Sequence, residues 1–242
     1  MQLVESSAMG LRSARFTLVS PRSGVVVTLF PMIHVGEPAF YEAVYADAFS
    51  QDVVLVEGVN SPITRRVTRS YRWIEHSRKI DLIVQPRYPR QSDCSARIVH
   101  ADLSAEEFAE AWGEVPLWLR VLVYIAAPYI GLRRRLVGSR ESLAKGMSVD
   151  DQASQKELLN WSPEAASLTA AIMDARDKRL IERLREQLDA PAAGPRRLAI
   201  VYGAFHMRAV LRELTKGRGF YADRGDWLTV FPLTPADQPV TA

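Results

Sequence analysis

Hydrophobic and polar positions divide this chain into two strand-rich ends and a helical middle. Residues 14–20 alternate apolar and polar, the period-two pattern of a half-buried strand. Turn chemistry follows in Pro21-Arg22-Ser23-Gly24. Val25 to Phe30 is a continuous apolar run, as a strand covered on both faces requires. Phe40, Val44, Tyr45 and Ala48 recur at helical spacing, and Glu37-Pro38 suits a first turn, so a helix is predicted over 37–49. A third strand, 52–57, comes next. Strand, helix, strand argues for a parallel pair joined by a crossover helix.

Past Asn60-Ser61-Pro62 lies a basic segment, 63–79, and then short strands at 81–85 and 97–100. Ser104, with Glu107 three residues on, starts a helix as a capping box. Residues 104–190 read as helices. Asp150 or Ser154 caps one, and a long helix over 163–189 begins at Ser162-Pro163-Glu164 and stops before the breaker stretch Pro191 to Pro195. A strand at 198–202 leads into a helix at 205–216, which Gly217 and Gly219 end. Short strands at 220–222 and 227–231, about a turn at Arg224-Gly225-Asp226, close the chain. The expected architecture is α/β: a central mixed, partly parallel sheet with flanking helices and a helical middle insertion at about 104–190. It forms one domain over 1–235, with a loose tail at 236–242.

Composition agrees with a folded protein. The chain has 242 residues, 48% of them hydrophobic and 24% charged. Its net charge of +3 is too small to imply a nucleic-acid partner, and none is expected. Basic residues do cluster, at Arg65, Arg66, Arg69, Arg72, Arg78 and Lys79 and again at Arg133, Arg134, Arg135 and Arg140. Both clusters read as solvated helix faces. The single cysteine, Cys94, permits neither an intrachain disulfide nor a Cys-rich zinc site. With no signal-like N-terminus, a cytoplasmic protein is expected, with membrane association left open by one segment. Val115 to Leu132 is strongly apolar and runs into Arg133-Arg134-Arg135. Arg120 inside it argues against a span, and Pro128 is expected to kink or end a helix there. A packed core helix, a surface touching a membrane or a second subunit of a homo-oligomer, and a true span all remain open.

The candidate chemistry sits at strand ends. Strand 25–30 runs into His34, strand 198–202 runs through Gly203 into His206, and strand 52–57 ends in Glu57. Ends of parallel strands are where α/β sheets build ligand sites, and two imidazoles with one carboxylate suit a metal centre or acid–base work. Each residue also has a plainer reading: His34 as an edge polar group, Glu57 as a salt-bridge partner, and Arg176 as one of many charges on a solvated helix. His100 and Asp102 follow strand 97–100 and could supply a second base or carboxylate, or form a helix-entry loop. His76 reads as surface. No nucleophile elbow, phosphate loop, dinucleotide fingerprint or His-Glu-x-x-His helix is present.

These residues also carry a resemblance. Gly203-Ala204-Phe205-His206 matches one Gly-x-x-His motif of the TraB/PrgY/TIKI family, within the erythromycin-esterase-like and ChaN-like group. Pro31-Met32-Ile33-His34 matches the other, with Pro in place of Gly. Glu57 in Leu-Val-Glu-Gly matches the family glutamate, and Arg176 matches an Arg-Asp element (Arg176-Asp177) ahead of the second motif. The resemblance spans about residues 14–232. It implies a hydrolase that cleaves a peptide or ester bond with activated water, using His34, Glu57, Arg176 and His206. In its metal form, His34, Glu57 and His206 hold a divalent ion such as Mn, Co or Zn. In its metal-free form one His is the general base and Arg176 steadies the oxyanion. A peptide or small-molecule substrate is implied, and the Pro at 31 is expected to restrict the turn before His34. The alternative is a non-catalytic regulatory module that binds haem or a peptide, like the pheromone-shutdown members.

Overall fold

The computed structural model describes residues 1–21, 23–59, 61–68, 77, 79–145, 147–150, 173–191 and 196–234. The cap at Asp150 or Ser154 lies at the edge of these, and the helix start at Ser162, the breakers at 192–195, Arg69, Arg72, His76, Arg78 and the tail at 236–242 lie outside them.

The described residues build a mixed, partly parallel eight-stranded sheet with flanking helices, an α/β fold. Four strands run parallel: β7 (Arg97–His100), β5 (Val53–Val56), β9 (Arg196–Gly203) and β3 (Val25–Met32). β5 is buried at every position and β9 from Leu198 onward, as expected of apolar strands with both faces covered. The sheet continues antiparallel through β2 (Gly10–Val19), β1 (Gln2–Ser7) and β8 (Val149–Asp150). β10 (Tyr221–Phe231) pairs with β2 along most of its length. A second, two-stranded sheet joins β4 (Val35–Gly36) to β6 (Ile83–Val84). Among the described residues seven α-helices accompany the sheets: α1 (Pro38–Ala48), α2 (Pro62–Thr68), α3 (Ala105–Gly113), α4 (Leu117–Val137), α5 (Arg140–Ala144), α6 (Ala175–Asp189) and α7 (Met207–Arg212).

Several expectations are corrected here. The strand expected at 14–20 is β2, which starts four residues earlier, and a strand not expected, β1, precedes it; the hairpin of the two buries Leu3 and Val4. The helical middle contains a strand, β8, which covers β1. The 81–85 strand shrinks to β6 and leaves the main sheet. The two closing strands are one. Arg224-Gly225-Asp226 is not a turn but a bulged stretch of β10, whose register with β2 slips between Ala222 and Arg224. Asp226 is held across the pair by Arg15 (Nε to Oδ1, 2.9 Å), and a Cβ at Gly225 would lie 2.7 Å from the Phe16 ring. α4 passes through Pro128 without ending, because a proline removes only one hydrogen bond from a helix that has its other turns intact. Arg140 does not belong to a solvated face. It is 3% exposed and donates to the carbonyls of Ile80 (2.7 Å), Asp81 (2.8 Å) and Pro232 (3.2 Å) and to Glu37 (2.7 Å), tying the start of α1 to two loops.

Candidate active site

The parallel strands deliver their C-terminal ends to one side of the sheet. Glu57 follows β5, His206 lies three residues beyond β9, His34 two residues beyond β3, and Asp102 two beyond β7. α6 lays Arg176 and Asp177 over these ends. Adjacent helical residues lie about 100° apart, so the two side chains reach different partners.

Arg176 is the hub. Its Nε and Nη2 donate to Asp102 at 2.9 and 2.7 Å, and Nη2 also donates to Glu57. Its guanidinium lies over the Tyr202 ring, 5.6 Å from the centroid. Asp102, with 1% of its side chain exposed, further accepts the backbone N–H groups of Gly58 (3.0 Å) and Leu103 (2.9 Å). The other Glu57 oxygen accepts the N–H of Gly203 at 2.6 Å. Burial alone would raise the Glu57 pKa. The positive charge of Arg176, then the nearby His34 and His206 and the Arg176 hydrogen bond, outweigh that and lower it to about 2. Burial likewise works against the Arg176 cation, and Asp102 and Glu57 reverse this and hold it charged. The Tyr202 phenol is pushed up by burial and stays neutral.

The two histidines have different settings. His206 is 4% exposed, its ring edge-on to Tyr202 with centroids 5.0 Å apart, and its Nδ1 lies 2.6 Å from Asp177 Oδ1. An ionised carboxylate only accepts, so Nδ1 carries the proton toward Asp177, and in the neutral ring that leaves Nε2 as the acceptor nitrogen. His34 is more exposed. The N–H of Gln85 donates to the His34 carbonyl (2.8 Å), and Gln85 Oε1 lies 3.2 Å from His34 Nδ1, so the small β4–β6 sheet fixes this residue.

Two cavities meet at this cluster. One, of about 330 Å³, is lined by His34, Glu57, Arg176 and His206 together with the apolar Met32, Met147, Met173 and Phe205. The second, of about 400 Å³, shares His34, Glu57 and Arg176 and is edged by Arg65 and Arg87. The structure thus brings together His34, Glu57, Arg176 and His206, with Asp102 behind them. His100 stands apart: it meets the Tyr88 hydroxyl at 3.2 Å and lines neither cavity. Sequence reasoning gave no role to Asp177, the partner of His206. The signal was its place beside Arg176, but its pairing spans 29 residues and cannot be read from either segment.

Pro31 is also clarified. Gly203 lies opposite Met32, not Pro31, so the two motifs are offset by one residue along the paired strands. Pro31 stays within β3, its carbonyl accepting from Ser13 Oγ at 2.5 Å, and His34 still reaches both cavities. The expected restriction falls on the strand, away from Glu57.

His34, Glu57 and His206 are not grouped as a single-ion ligand set in this arrangement. Both Glu57 oxygens already accept hydrogen bonds, from Arg176 and from Gly203. Among the described residues, no three of His, Cys, Asp and Glu are grouped to hold an ion. Comparison with protein-family models, curated proteins and solved structures returns no match.

Proposed function

We propose that this chain is a hydrolase of ester or amide bonds, TraB/TIKI-like in the placing of its motifs, which activates water on the His206 imidazole. The observation that carries this reading is the 2.6 Å pair of His206 Nδ1 with Asp177, set buried in a cavity wall. Asp177 fixes the tautomer and steadies the imidazolium, and Nε2 takes a proton from water as the water oxygen bonds to the carbonyl carbon. The carbonyl oxygen becomes an oxyanion. Arg176 Nε and Nη2 are committed to Asp102 and Glu57, which leaves Nη1 as its donor. As the tetrahedral centre collapses, the C–O or C–N bond breaks and His206 returns its proton to the leaving group. Glu57 and Asp102 act through Arg176: they hold the guanidinium in place and charged.

The test is a panel of chromogenic aryl esters of increasing acyl length and a mixture of short peptides, with wild type, His206→Ala and Asp177→Asn. Wild-type turnover that falls about 10²–10⁴-fold in His206→Ala supports the reading. Turnover indifferent to both substitutions overturns it. Ligand binding without turnover places the chain among non-catalytic binding proteins.

A further inference from the structure

No single helix among the described residues is long and apolar enough to cross a membrane. Yet α4 leaves an unusual surface uncovered. Projected at about 100° per residue, Leu117, Trp118, Val121, Ile125, Tyr129 and Leu136 fall in one sector about 120° wide. All six are exposed: Leu117 68%, Ile125 63%, Tyr129 66% and Leu136 65%, with Trp118 and Val121 near half. Scattered apolar residues on a surface need no explanation, but a stripe along about five helical turns does.

The charges around the stripe identify what covers it. Arg135 and Arg133, both exposed, fall beside its two edges, where arginine side chains can lay apolar stems along a stripe and carry their charges past it. α4 contains four arginines and no carboxylate. α2 packs against α4 and adds Arg65 and Arg66, with the Arg66 guanidinium 5.4 Å from the Tyr124 ring centroid. Trp118 and Tyr129 on the stripe are residues that favour the boundary between hydrocarbon and headgroup. We infer that α4 docks flat on an anionic lipid bilayer, its stripe in the acyl boundary and Arg133 and Arg135 among the phosphates. Arg134 lies on the opposite face and lines the smaller cavity of the site. Docking therefore sets that cavity about one helix diameter, roughly 10 Å, from the headgroups.

The experiment is co-sedimentation of the full chain with vesicles of phosphatidylcholine alone and of phosphatidylcholine with a third phosphatidylserine. The chain is expected to pellet with the anionic vesicles and to be released by high salt. Arg133→Gln with Arg135→Gln weakens that partition about 30-fold, about fivefold per charge. Ile125→Glu with Tyr129→Glu abolishes it, and both double variants keep the wild-type melting temperature because all four positions are exposed. Wild type that stays in the supernatant with anionic vesicles overturns the proposal. So does a stable wild-type dimer that Ile125→Glu with Tyr129→Glu makes monomeric, which would seat a second copy on the stripe.

Discussion

The backbone N–H of Gly203 donates to Glu57 Oε2 at 2.6 Å, closing the end of β9 against the residue that follows β5. There is no room between them. A Cβ at position 203 would lie 3.1 Å from the same oxygen and 3.4 Å from the His206 ring. The glycine of the second motif therefore serves close approach rather than backbone conformation, since its backbone angles are open to any residue.

Gly203→Ala displaces Glu57 or His206 by a few tenths of an ångström. Glu57 cannot easily give way, being held on both oxygens. The expected result is turnover lowered at least tenfold, with a stability loss of about 1–2 kcal/mol from overpacking. Steady-state kinetics beside a urea titration measure both. Unchanged kinetics would show that this contact does not position the site.

Glu57 sets an acid limit on stability. Its carboxyl falls from an ordinary 4.5 to about 2 on folding. A depressed carboxyl stabilises the fold fully above the unfolded value and loses that contribution as pH falls through the folded one. Stability is thus expected to decline between about pH 4.5 and pH 2, by on the order of 3 kcal/mol from this group. Glu57→Gln flattens that part of the curve. Equal slopes for wild type and variant in this window would remove Glu57 from the account.

Arg176→Met leaves Glu57 and Asp102 buried without their cation. A loss of about 3–5 kcal/mol is expected, because charges stripped of a partner cannot recover their hydration. Adding Glu57→Gln and Asp102→Asn to the same variant restores much of it. A triple variant no more stable than Arg176→Met would contradict the shared ion network.

Arg140 carries a similar risk at a distance from the site. Arg140→Met leaves three carbonyls and Glu37 without their donor, and a loss of about 3 kcal/mol is expected, moderated because Glu37 keeps some water. Hydrolytic kinetics at low temperature should stay near wild type, since Arg140 lines neither cavity.

Dialysis against a chelator tests the donor chemistry of the site. With Glu57 committed to Arg176 and Gly203, turnover and melting temperature are expected to survive chelation. Activity lost on chelation and restored by Zn or Mn would return the ligand set His34, Glu57 and His206 to consideration.

Much of the fold was legible because it rests on local pattern. The mostly apolar runs expected as strands at 25–30, 52–57 and 198–202 became β3, β5 and β9. Pro38 opens α1, and the Ser104–Glu107 capping box forms with both of its hydrogen bonds, at 2.9 and 3.1 Å. β1 was missed because Gln2–Ser7 has only Leu3 and Val4 to bury and takes its order from β2. Arg224-Gly225-Asp226 misled because its residue types favour turns, while Arg15 and Phe16 on the neighbouring strand hold it extended.

The sequence by itself determined which residues stand at the ends of β3, β5 and β9, since a short apolar run able to be buried on both faces marks such a strand locally. That placed His34, Glu57 and His206 at the margin of a sheet. Only the tertiary structure decided what they touch. Strand order, β7-β5-β9-β3, brings Asp102 beside Gly58 and Glu57 beside Gly203, and the docking of α6 gives Arg176 to the two carboxylates and Asp177 to His206. These pairings span 29 to 146 residues of chain. Such contacts depend on how elements pack across the molecule, and no local period records that.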